Sequence, residues 1–206
     1  MDIRSYTKYI KDLDINIDDC EFLGEGHNGI VYRLPEDKVI KICFTEVRCL
    51  KEYSILRRVN NSEYFPRVYG MSRNYMIRDY VNGVNLKDYI RDHGMSKDLA
   101  IRIMDLIEEF KKLKFLKEDV RCKDIFVQPN GSLMVIDPKR FYTKKRDFPR
   151  HLSKGLYKLG VLETFLSFVK EERPSLYAQW HKSIDAYITQ KKKEYLAQSN
   201  HQKHFG

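Results

Sequence analysis

The sequence predicts an α+β fold in which a strand-rich front half is followed by a helix-rich back half. Between residue 22 and about residue 79, short β-branched and aromatic runs are separated by turn residues. After Asn82-Gly83 the apolar residues instead recur at helical spacing. The 206 residues are enough for one sizeable core or for two small lobes. The change of pattern near residues 79–83 therefore predicts two lobes that are joined at this point.

The front half is predicted to be mainly strand. A short helix over residues 5–13 is expected ahead of Phe22, and residues 45–59, which have helical spacing, are expected to interrupt the strands. Pro35-Glu36-Asp37-Lys38 is typical of a hairpin turn between two of the strands. The runs that define the strands are residues 30–34, 39–44, 67–71 and 75–81.

The back half is predicted to be mainly helical. Residues 86–93 indicate a helix that ends at Gly94, and Ser96 is suited to cap a long amphipathic helix. Residues from about Leu152 onward also have helical character and end in a polar tail. The apolar stripe of the long helix is expected to comprise Leu99, Ile103, Leu106, Ile107, Phe110 and Leu113.

Composition narrows the class of protein. Hydrophobic residues make up 42% and charged residues 33%, which is typical of a globular protein and not of a disordered one. The net charge of +9 favours anionic partners, although a basic surface without a dedicated partner explains it equally well. The four cysteines lack zinc-ligand spacing, and no apolar stretch resembles a signal peptide or is long enough to span a bilayer. A cytoplasmic protein is therefore expected.

The segment Gly24-Glu-Gly26-His-Asn-Gly29-Ile-Val31 satisfies the pattern GxGxxGxV. A dinucleotide-binding version of this pattern runs into a helix, and a Walker-type loop continues with Gly-Lys-Ser/Thr. Here Gly29 instead runs into a strand, a turn and a second strand. This context favours a flap whose backbone N–H groups cover a triphosphate. A glycine-rich hairpin without a ligand is the alternative.

Lys41 and Glu52 are charged residues in apolar surroundings. Lys41 lies within Val39-Ile40-Lys41-Ile42-Cys43-Phe44, a run that indicates a strand buried on both faces, so its ammonium needs an anionic partner. Glu52 falls on the apolar stripe of the predicted helix over residues 45–59. An ion pair between them resolves both anomalies and leaves the ammonium available to a phosphate. The alternative is that the two side chains reach the surface separately.

Three aspartates near a predicted hairpin indicate a magnesium site. Asn130-Gly131 is suited to a two-residue type I′ turn, and its register would place Asp124 directly opposite Asp137. Facing carboxylates repel one another unless one takes a proton or a divalent cation lies between them. Asp119, five residues before Asp124, is close enough to act as a base that orients an acceptor hydroxyl. Taken singly, all three aspartates are explained as surface residues.

In the order of these motifs the chain resembles the protein-kinase superfamily. The resemblance is to small bacterial Ser/Thr protein kinase-like proteins and to the compact RIO-type and lipopolysaccharide-type kinases. It extends from Leu23 to about Asp137, and the separation of eighteen positions from Asp119 to Asp137 matches that of the catalytic and metal-binding aspartates in many kinases. The resemblance implies a protein-kinase-like bilobal fold with a shortened helical C-lobe.

The resemblance also implies boundaries and a site. It implies a single kinase-like domain over residues 1–206, with an N-lobe (about 14–79), a hinge (about 79–83), a C-lobe (about 84–196) and a polar tail (197–206). ATP and Mg²⁺ are the implied cofactors. Asp119 would be the catalytic aspartate, Arg121 would neutralise the moving phosphoryl group or be a plain surface arginine, and Asp124 and Asp137 would hold the metal. The implied nucleotide-binding residues are Leu23, Gly24, Gly26, Gly29, Val31, Val39, Lys41, Glu52, Asp79, Val81, Phe126 and Ile136.

The sequence departs from the superfamily pattern at several points. Lys117-Glu118-Asp119 replaces His-Arg-Asp, Asp124 replaces the usual asparagine, and Asp137-Pro138-Lys139 replaces Asp-Phe-Gly. Arg78 falls at the gatekeeper position, where an apolar residue is usual. No Ala-Pro-Glu follows, so most of the peptide-docking part of a full helical lobe is expected to be missing.

Three classes of function remain open from the sequence. The first is an ATP- and Mg²⁺-dependent kinase that acts on a hydroxyl acceptor; protein Ser/Thr is the first choice by analogy of fold alone, and a sugar-type small molecule is a close alternative. The second is a pseudokinase, a nucleotide-binding signalling module without transfer. The third is association with RNA or an acidic partner through the basic segment 139–150 and the run Lys191-Lys192-Lys193.

Overall fold

The computed structural model describes residues 9–10, 15–138 and 141–203. The chain divides into two compact units, one of Met1–Asn82 with Met134–Lys139 and one of Gly83–Leu133 with Arg140–Gly206. Strands dominate the first and helices the second, so the predicted α+β class is confirmed. None of the helices in the described ranges has both the length and the apolar character needed to cross a membrane.

The first unit is built around a five-stranded antiparallel sheet, whose strands lie side by side in the order β3 (Phe22–Gly26), β4 (Gly29–Leu34), β5 (Lys38–Cys43), β7 (Tyr75–Asp79) and β6 (Val68–Ser72). Helix α1 (Glu46–Arg58) connects β5 to β6, as its helical spacing predicts. Thr45 caps this helix, because its hydroxyl accepts a hydrogen bond from the backbone N–H of Arg48 at 3.3 Å.

The predicted helix over residues 5–13 is wrong at Tyr9 and Ile10. These residues form strand β1 (Tyr9–Ile10), which pairs antiparallel with β2 (Ile15–Asn16). β-Branched residues such as Ile10 and Ile15 favour extended backbone, which agrees with the observed strands. The remainder of that prediction lies outside the described residues.

The two faces of the sheet have different chemistry. One face carries an apolar cluster of buried residues to which the 3₁₀ turn Ile17–Asp19 contributes. Side chains alternate along a strand, so Lys41 lies on the opposite face from Ile40 and Ile42. The buried members of the cluster are Ile17, Leu34, Ile40, Ile42 and Tyr75. Burial on both faces explains why β5 is a nearly continuous apolar run.

The second unit is mainly helical. Two of its helix ends lie where capping chemistry predicts: the Ser96 hydroxyl accepts from the Leu99 N–H at 3.1 Å, and Gly94 ends the preceding helix with φ +74°. The predicted stripe of the long helix is buried except for Leu113, which is half-buried. The helices are α2 (Leu86–His93), α3 (Lys97–Lys112), α4 (Arg150–Lys158), α5 (Leu162–Glu172) and α6 (Pro174–Lys203).

Short strands complete the second unit. β8 (Val84–Asn85) pairs antiparallel with β9 (Ile125–Val127), so that Val84 faces Val127 and Asn85 faces Phe126. The 3₁₀ turn Cys122–Asp124 leads directly into β9. After the following hairpin, β10 (Leu133–Val135) is the point at which the chain passes from the second unit to the first.

The predicted type I′ turn at Asn130-Gly131 is wrong. The Gly131 N–H donates to the Gln128 carbonyl at 2.8 Å and the Gln128 N–H donates to the Ser132 carbonyl at 2.9 Å, so Pro129 and Asn130 are the central residues. Only Gly131 has positive φ, at +81°. Proline suits the first central position of an ordinary turn, which makes a three-residue loop with a bulge at glycine. Partners are therefore shifted by one residue, and the register that placed Asp124 opposite Asp137 is wrong.

Candidate active site

In the first unit, Lys41 and Glu52 form a buried ion pair, as expected from the two anomalies in the sequence. The Lys41 Nζ lies 2.7 Å from Glu52 Oε1 and 2.6 Å from Glu52 Oε2. The two residues are only 7% and 4% exposed. Burial raises the pKa of the Glu52 carboxyl; Lys41 opposes this rise and Asp137 adds to it. Each charge therefore helps to compensate the desolvation of the other.

Asp137 lies beside this ion pair in the first unit. Its Oδ1 is 3.9 Å from Lys41 Nζ, and the Asn28 side chain donates to the same oxygen at 3.5 Å. The backbone of Asp137 is left-handed, with φ +59°, a conformation that Asp tolerates better than most residues. The segment that carries it is attached to the unit by the Val135 N–H, which donates to the Tyr64 carbonyl at 2.8 Å. Its side chain remains 20% exposed.

Arg78 lies on the same face of the sheet as Lys41. The register pairs Lys41 with Met76 and Val39 with Arg78, and residues two apart on a strand share a face. Arg78 is 6% exposed; its Nη1 donates to the Asp79 carbonyl at 2.9 Å and its Nε has no hydrogen-bond partner within the described chain. Burial lowers the pKa of this guanidinium, while Glu52 and Asp137 oppose the change. Arg78, which the resemblance places at the gatekeeper position, is therefore a buried charged residue on the face of the sheet that carries Lys41.

The three glycines of the loop serve different purposes. A Cβ at Gly29 would lie 2.2 Å from the Ile42 carbonyl oxygen and 2.8 Å from Cys43 Cα, so the sheet itself requires glycine there. Gly24 has φ +155°, which L side chains rarely adopt. Gly26 has neither constraint, since a Cβ there would have no atom within 4 Å. Asn28, in the same loop, was not singled out from the sequence, although it contacts Asp137.

The predicted hinge residues differ in their backbone hydrogen bonds. The Asp79 N–H donates to the Arg67 carbonyl at 2.9 Å, and its carboxylate accepts from the Arg67 N–H and from the Tyr69 hydroxyl. Val81 is buried, and its backbone N–H has no hydrogen-bond partner among the described residues. Of the two, Val81 therefore has the donor that an adenine edge would use.

The remaining predicted nucleotide-binding residues are distributed over both units. Val31 faces Lys41 across β4 and β5 and is half-buried, while Val39 is fully buried two residues from Lys41. Leu23 on β3 and Ile136 are half-buried in the first unit. Phe126 belongs to the second unit, where it is half-buried on β9. Val31, Val39, Lys41 and Arg78 thus share one face of the sheet.

In the second unit, Asp119 is fully buried and its carboxylate binds the start of α4. Oδ1 accepts from the backbone N–H of His151 at 2.7 Å and of Leu152 at 3.3 Å, and Oδ2 accepts from the His151 ring nitrogen Nδ1. The residue before α4 is Pro149, which has no side-chain oxygen with which to cap it. Asp119 therefore caps the helix from a distant part of the chain, which also suits the helix dipole.

Arg121 and Asp124 form a bidentate ion pair in the second unit. The Arg121 Nη2 donates to Asp124 Oδ1 at 2.9 Å, and its Nε donates to Oδ2. Asp124 is 8% exposed, whereas the Arg121 side chain is 39% exposed. A metal ion at Asp124 would therefore compete with the guanidinium of Arg121. Whether the two residues act on a phosphoryl group and on a metal stays a prediction.

Close packing holds the segment of Asp119 against α4. A Cβ at Gly155 would lie 2.5 Å from Cys122 Sγ, so glycine is what allows the helix to approach this cysteine. The Cys122 thiol lies 3.8 Å from the Leu152 carbonyl, and burial raises its pKa to about 12. Neither His151 nor Gly155 was identified from the sequence, because each contacts a residue about thirty positions earlier without interrupting any periodic pattern.

The two basic runs of the sequence meet at one tyrosine. The Arg150 guanidinium lies 4.8 Å and the Lys191 ammonium 5.9 Å from the centre of the Tyr187 ring. Lys191 also pairs with Glu194, and Lys192 lies 5.2 Å from the ring of Tyr157. These contacts occupy part of the basic surface with aromatic partners from the same unit. Binding of RNA or an acidic partner there stays a prediction.

Comparison with known proteins gives a fold likeness only. No protein-family model matches the chain. A solved structure, that of the Cydia pomonella Granulovirus kinase, PK-1, aligns with a TM-score of 0.48 and 18% sequence identity. The alignment covers 57% of this chain and 48% of the viral kinase, so the chain matches about half the length of that protein. This likeness assigns no chemistry to the side chains of this chain.

Proposed function

We propose that this chain is a phosphotransferase that binds ATP with magnesium and transfers the γ-phosphoryl group to a hydroxyl acceptor. The observation that carries the proposal is the buried Lys41 ammonium. It has three N–H donors, of which Glu52 accepts two, and the nearest oxygen of Asp137 is too distant, at 3.9 Å, for a hydrogen bond. A buried donor without a partner in the described chain suits an anionic ligand.

A purely structural role explains the pair less well. Buried ion pairs are weak contributors to stability, because desolvation of both charges offsets their attraction. An apolar pair of similar volume would serve the core as well. The lone donor and the adjacent carboxylate of Asp137 have a use when a phosphate chain with its cation is bound.

The glycine loop supports the same proposal. Gly29 is required by the close approach of β4 to β5, but neither strain nor packing within the described residues requires glycine at Gly26. A missing side chain leaves the backbone N–H accessible to a phosphate. Gly26 is therefore the position at which a bound triphosphate, and not the fold, would explain the residue.

The residues present fit a magnesium ion that is shared with a substrate. Magnesium usually takes one or two carboxylates and completes its shell with waters and phosphate oxygens. Asp137 is the better candidate, since part of its side chain is exposed, whereas both oxygens of Asp124 accept from Arg121. Bound magnesium would neutralise phosphate charge during transfer.

The acceptor class rests on analogy. A protein serine or threonine is the first candidate, as the commonest acceptor in the superfamily that the sequence resembles, and a sugar-type small molecule is the second. The unpaired Lys41 donor, the Gly26 loop and Asp137 concern the nucleotide. These features of the nucleotide site are expected with either acceptor and do not distinguish between them.

Replacement of Asp137 tests the nucleotide site. Asn suits the position because it also tolerates a left-handed backbone while removing the charge. In isothermal titration calorimetry, we expect Asp137→Asn to lose the magnesium-dependent part of ATP affinity, by about tenfold or more. Asp92→Asn, at an exposed aspartate of α2, is the matched control and should bind as the wild type does. Unchanged magnesium-dependent affinity in Asp137→Asn would contradict the assignment.

A second candidate function is nucleotide binding without transfer. It is favoured by the second unit, where the carboxylate of Asp119 is buried against α4 and Arg121 is paired with Asp124. Release of inorganic phosphate from ATP, and transfer of labelled phosphate to casein, distinguish the two. Binding with no turnover above that of Lys41→Met would favour the second candidate.

A further inference from the structure

The carboxylate of Asp119 is fully engaged by protein donors. It is 0% exposed, and three hydrogen bonds reach it from the backbone N–H groups of His151 and Leu152 and from the ring of His151. An acceptor hydroxyl would have to break one of these bonds and open the site before Asp119 accepted its proton. A base must lie within hydrogen-bonding reach of the proton that it removes.

His151 presents the opposite half of its ring outward. Its Nδ1 is hydrogen-bonded to Asp119. In the neutral ring this bond places the hydrogen on Nδ1 and leaves a lone pair on Nε2. The side chain is 36% exposed, and Nε2 is not among the buried side-chain nitrogens that lack a hydrogen-bond partner in the described chain, so it is accessible to solvent. Among the described residues none forms a hydrogen bond with Nε2.

We propose that His151 is the catalytic base of this protein and that Asp119 is a positioning residue that acts through it. The inference rests on the proposed phosphotransferase function. Nε2 of His151 removes the proton of the acceptor hydroxyl, and Asp119 holds the imidazole in the tautomer and orientation that this requires. The catalytic role that the sequence predicts for Asp119 thus passes to a residue 32 positions further along the chain.

The step balances without any additional reactant. The acceptor oxygen forms a bond to the γ-phosphorus while its proton moves to Nε2 of His151. The bond from that phosphorus to the oxygen that bridges the β- and γ-phosphates breaks, and this oxygen leaves with the nucleoside diphosphate. The imidazolium then returns its proton to water, so the products are the phosphorylated acceptor, the diphosphate and one proton.

Capping of α4 does not by itself account for the arrangement. Oδ1 alone satisfies the two backbone N–H groups, as an ordinary N-cap side chain does. The second oxygen orients an imidazole whose other nitrogen faces outward. An Asp that orients a His through Nδ1 and leaves Nε2 available is the arrangement that general-base catalysis requires.

The decisive variant is His151→Asn. The asparagine Nδ2 reaches the place of Nδ1 and can still donate to Asp119, but nothing replaces Nε2. In assays of phosphate release from ATP and of transfer to casein, we expect kcat to fall by about 10²- to 10⁴-fold with little change in KM for ATP. A structural role alone would leave kcat within a few fold of the wild type, provided that circular dichroism and thermal unfolding show a folded protein.

His181→Asn is the matched control. The Nδ1 of His181 also bonds a protein oxygen, the Tyr177 carbonyl at 2.9 Å, and its ring stacks on Tyr177, but no carboxylate is involved. This variant should keep the kcat and KM of the wild type. Equal losses in the two variants would overturn the assignment of His151.

Chemical rescue provides a readout that packing does not affect. In His151→Gly, added imidazole should restore part of the lost turnover, and a series of substituted imidazoles should do so in proportion to their basicity. Asp119→Asn, which retains an Oδ1 acceptor for the backbone but cannot accept from Nδ1, should lose turnover without being rescued. Rescue that is independent of basicity, or absent in His151→Gly, would overturn the role of His151 as base.

Failure of this inference can be distinguished from failure of the proposed function. If wild-type protein neither binds ATP nor releases phosphate, the proposed function is wrong and the inference falls with it. If wild-type protein turns over and Lys41→Met does not, while His151→Asn is as active as the wild type, only the inference is wrong.

Discussion

Glu52 in the first unit and Asp119 in the second are both carboxylates inside the protein, but different groups satisfy them. Glu52 faces the ammonium of Lys41, a full charge. Asp119 faces two backbone N–H groups and an imidazole. Glu52 depends on one partner, so loss of Lys41 leaves the buried carboxylate charge without compensation. The support of Asp119 is distributed over a helix terminus, so loss of one side chain does not remove all of it.

Because their carboxylates have different partners, the two units suit different steps of the proposed phosphoryl transfer. The ion pair between Lys41 on β5 and Glu52 on α1 leaves one N–H donor of Lys41 for an anionic ligand, so the first unit suits binding of phosphate. In the second unit, the Asp119 carboxylate orients the half-exposed ring of His151, so this unit suits proton transfer. The division predicts that variants of the first unit change nucleotide affinity while variants at His151 change turnover.

The largest expected effect on stability comes from Lys41→Met. This change leaves the Glu52 carboxylate buried without its counter-charge, and loss of one partner of a buried ion pair costs about 3–5 kcal/mol. The double variant Lys41→Met/Glu52→Leu should recover most of this loss, because an apolar pair needs no compensation. Chemical denaturation of the wild type, both single variants and the double variant measures the cycle. Simple addition of the two single losses would contradict the pairing.

The loss of stability caused by Lys41→Met should also depend on pH. Burial raises the pKa of Glu52, and without Lys41 nothing of equal strength opposes the rise. A carboxyl with a raised pKa in the folded state binds a proton more readily than the unfolded chain does, so folding is favoured at low pH and loses this support as pH rises through the raised value. The deficit should therefore be smaller at pH 5 than at pH 8.

A smaller effect separates two glycines of one loop. Gly29→Ala places a Cβ 2.2 Å from the Ile42 carbonyl oxygen, and because backbone cannot move aside cheaply, we expect a loss of about 3 kcal/mol. Gly26→Ala meets nothing within 4 Å and should change stability by less than about 0.5 kcal/mol. Calorimetry with ATP should nevertheless show weaker binding for Gly26→Ala. Full affinity in that variant would remove the phosphate-binding role of Gly26.

The first unit was more predictable from sequence than the second for a physical reason. Lys41 and Glu52 each interrupt a periodic apolar pattern, so both anomalies are visible and one ion pair explains them. Asp119 and His151 interrupt nothing, because Asp119 lies in an irregular segment and His151 in the first turn of a helix, where polar residues are ordinary. Tertiary contacts between such positions leave no local signal.

Competition between local signals explains the errors of detail. At residues 128–132 the Asn-Gly pair predicts a type I′ turn, but Pro129 favours the first central position of an ordinary turn, and Gly131 then takes the left-handed conformation alone. Because of this shift of one residue, Asp124 does not lie directly opposite Asp137, as the predicted hairpin register required. Asp124 instead forms a local ion pair with Arg121, three residues before it, which was not predicted from the sequence.

The smallest expected effect concerns the packing that brings Asp119 to α4. Gly155→Ala would place a Cβ 2.5 Å from Cys122 Sγ, and we expect a loss of about 1–2 kcal/mol because a sulfur can shift further than backbone. In a Cys122→Ala background the same change should cost little, since the clashing atom is absent. Thermal unfolding of the four proteins measures this coupling. An equal loss of stability in both backgrounds would mean that residue 155 does not contact Cys122. If the displaced helix also moves His151 relative to Asp119, Gly155→Ala should lower turnover, and Cys122→Ala/Gly155→Ala should restore it.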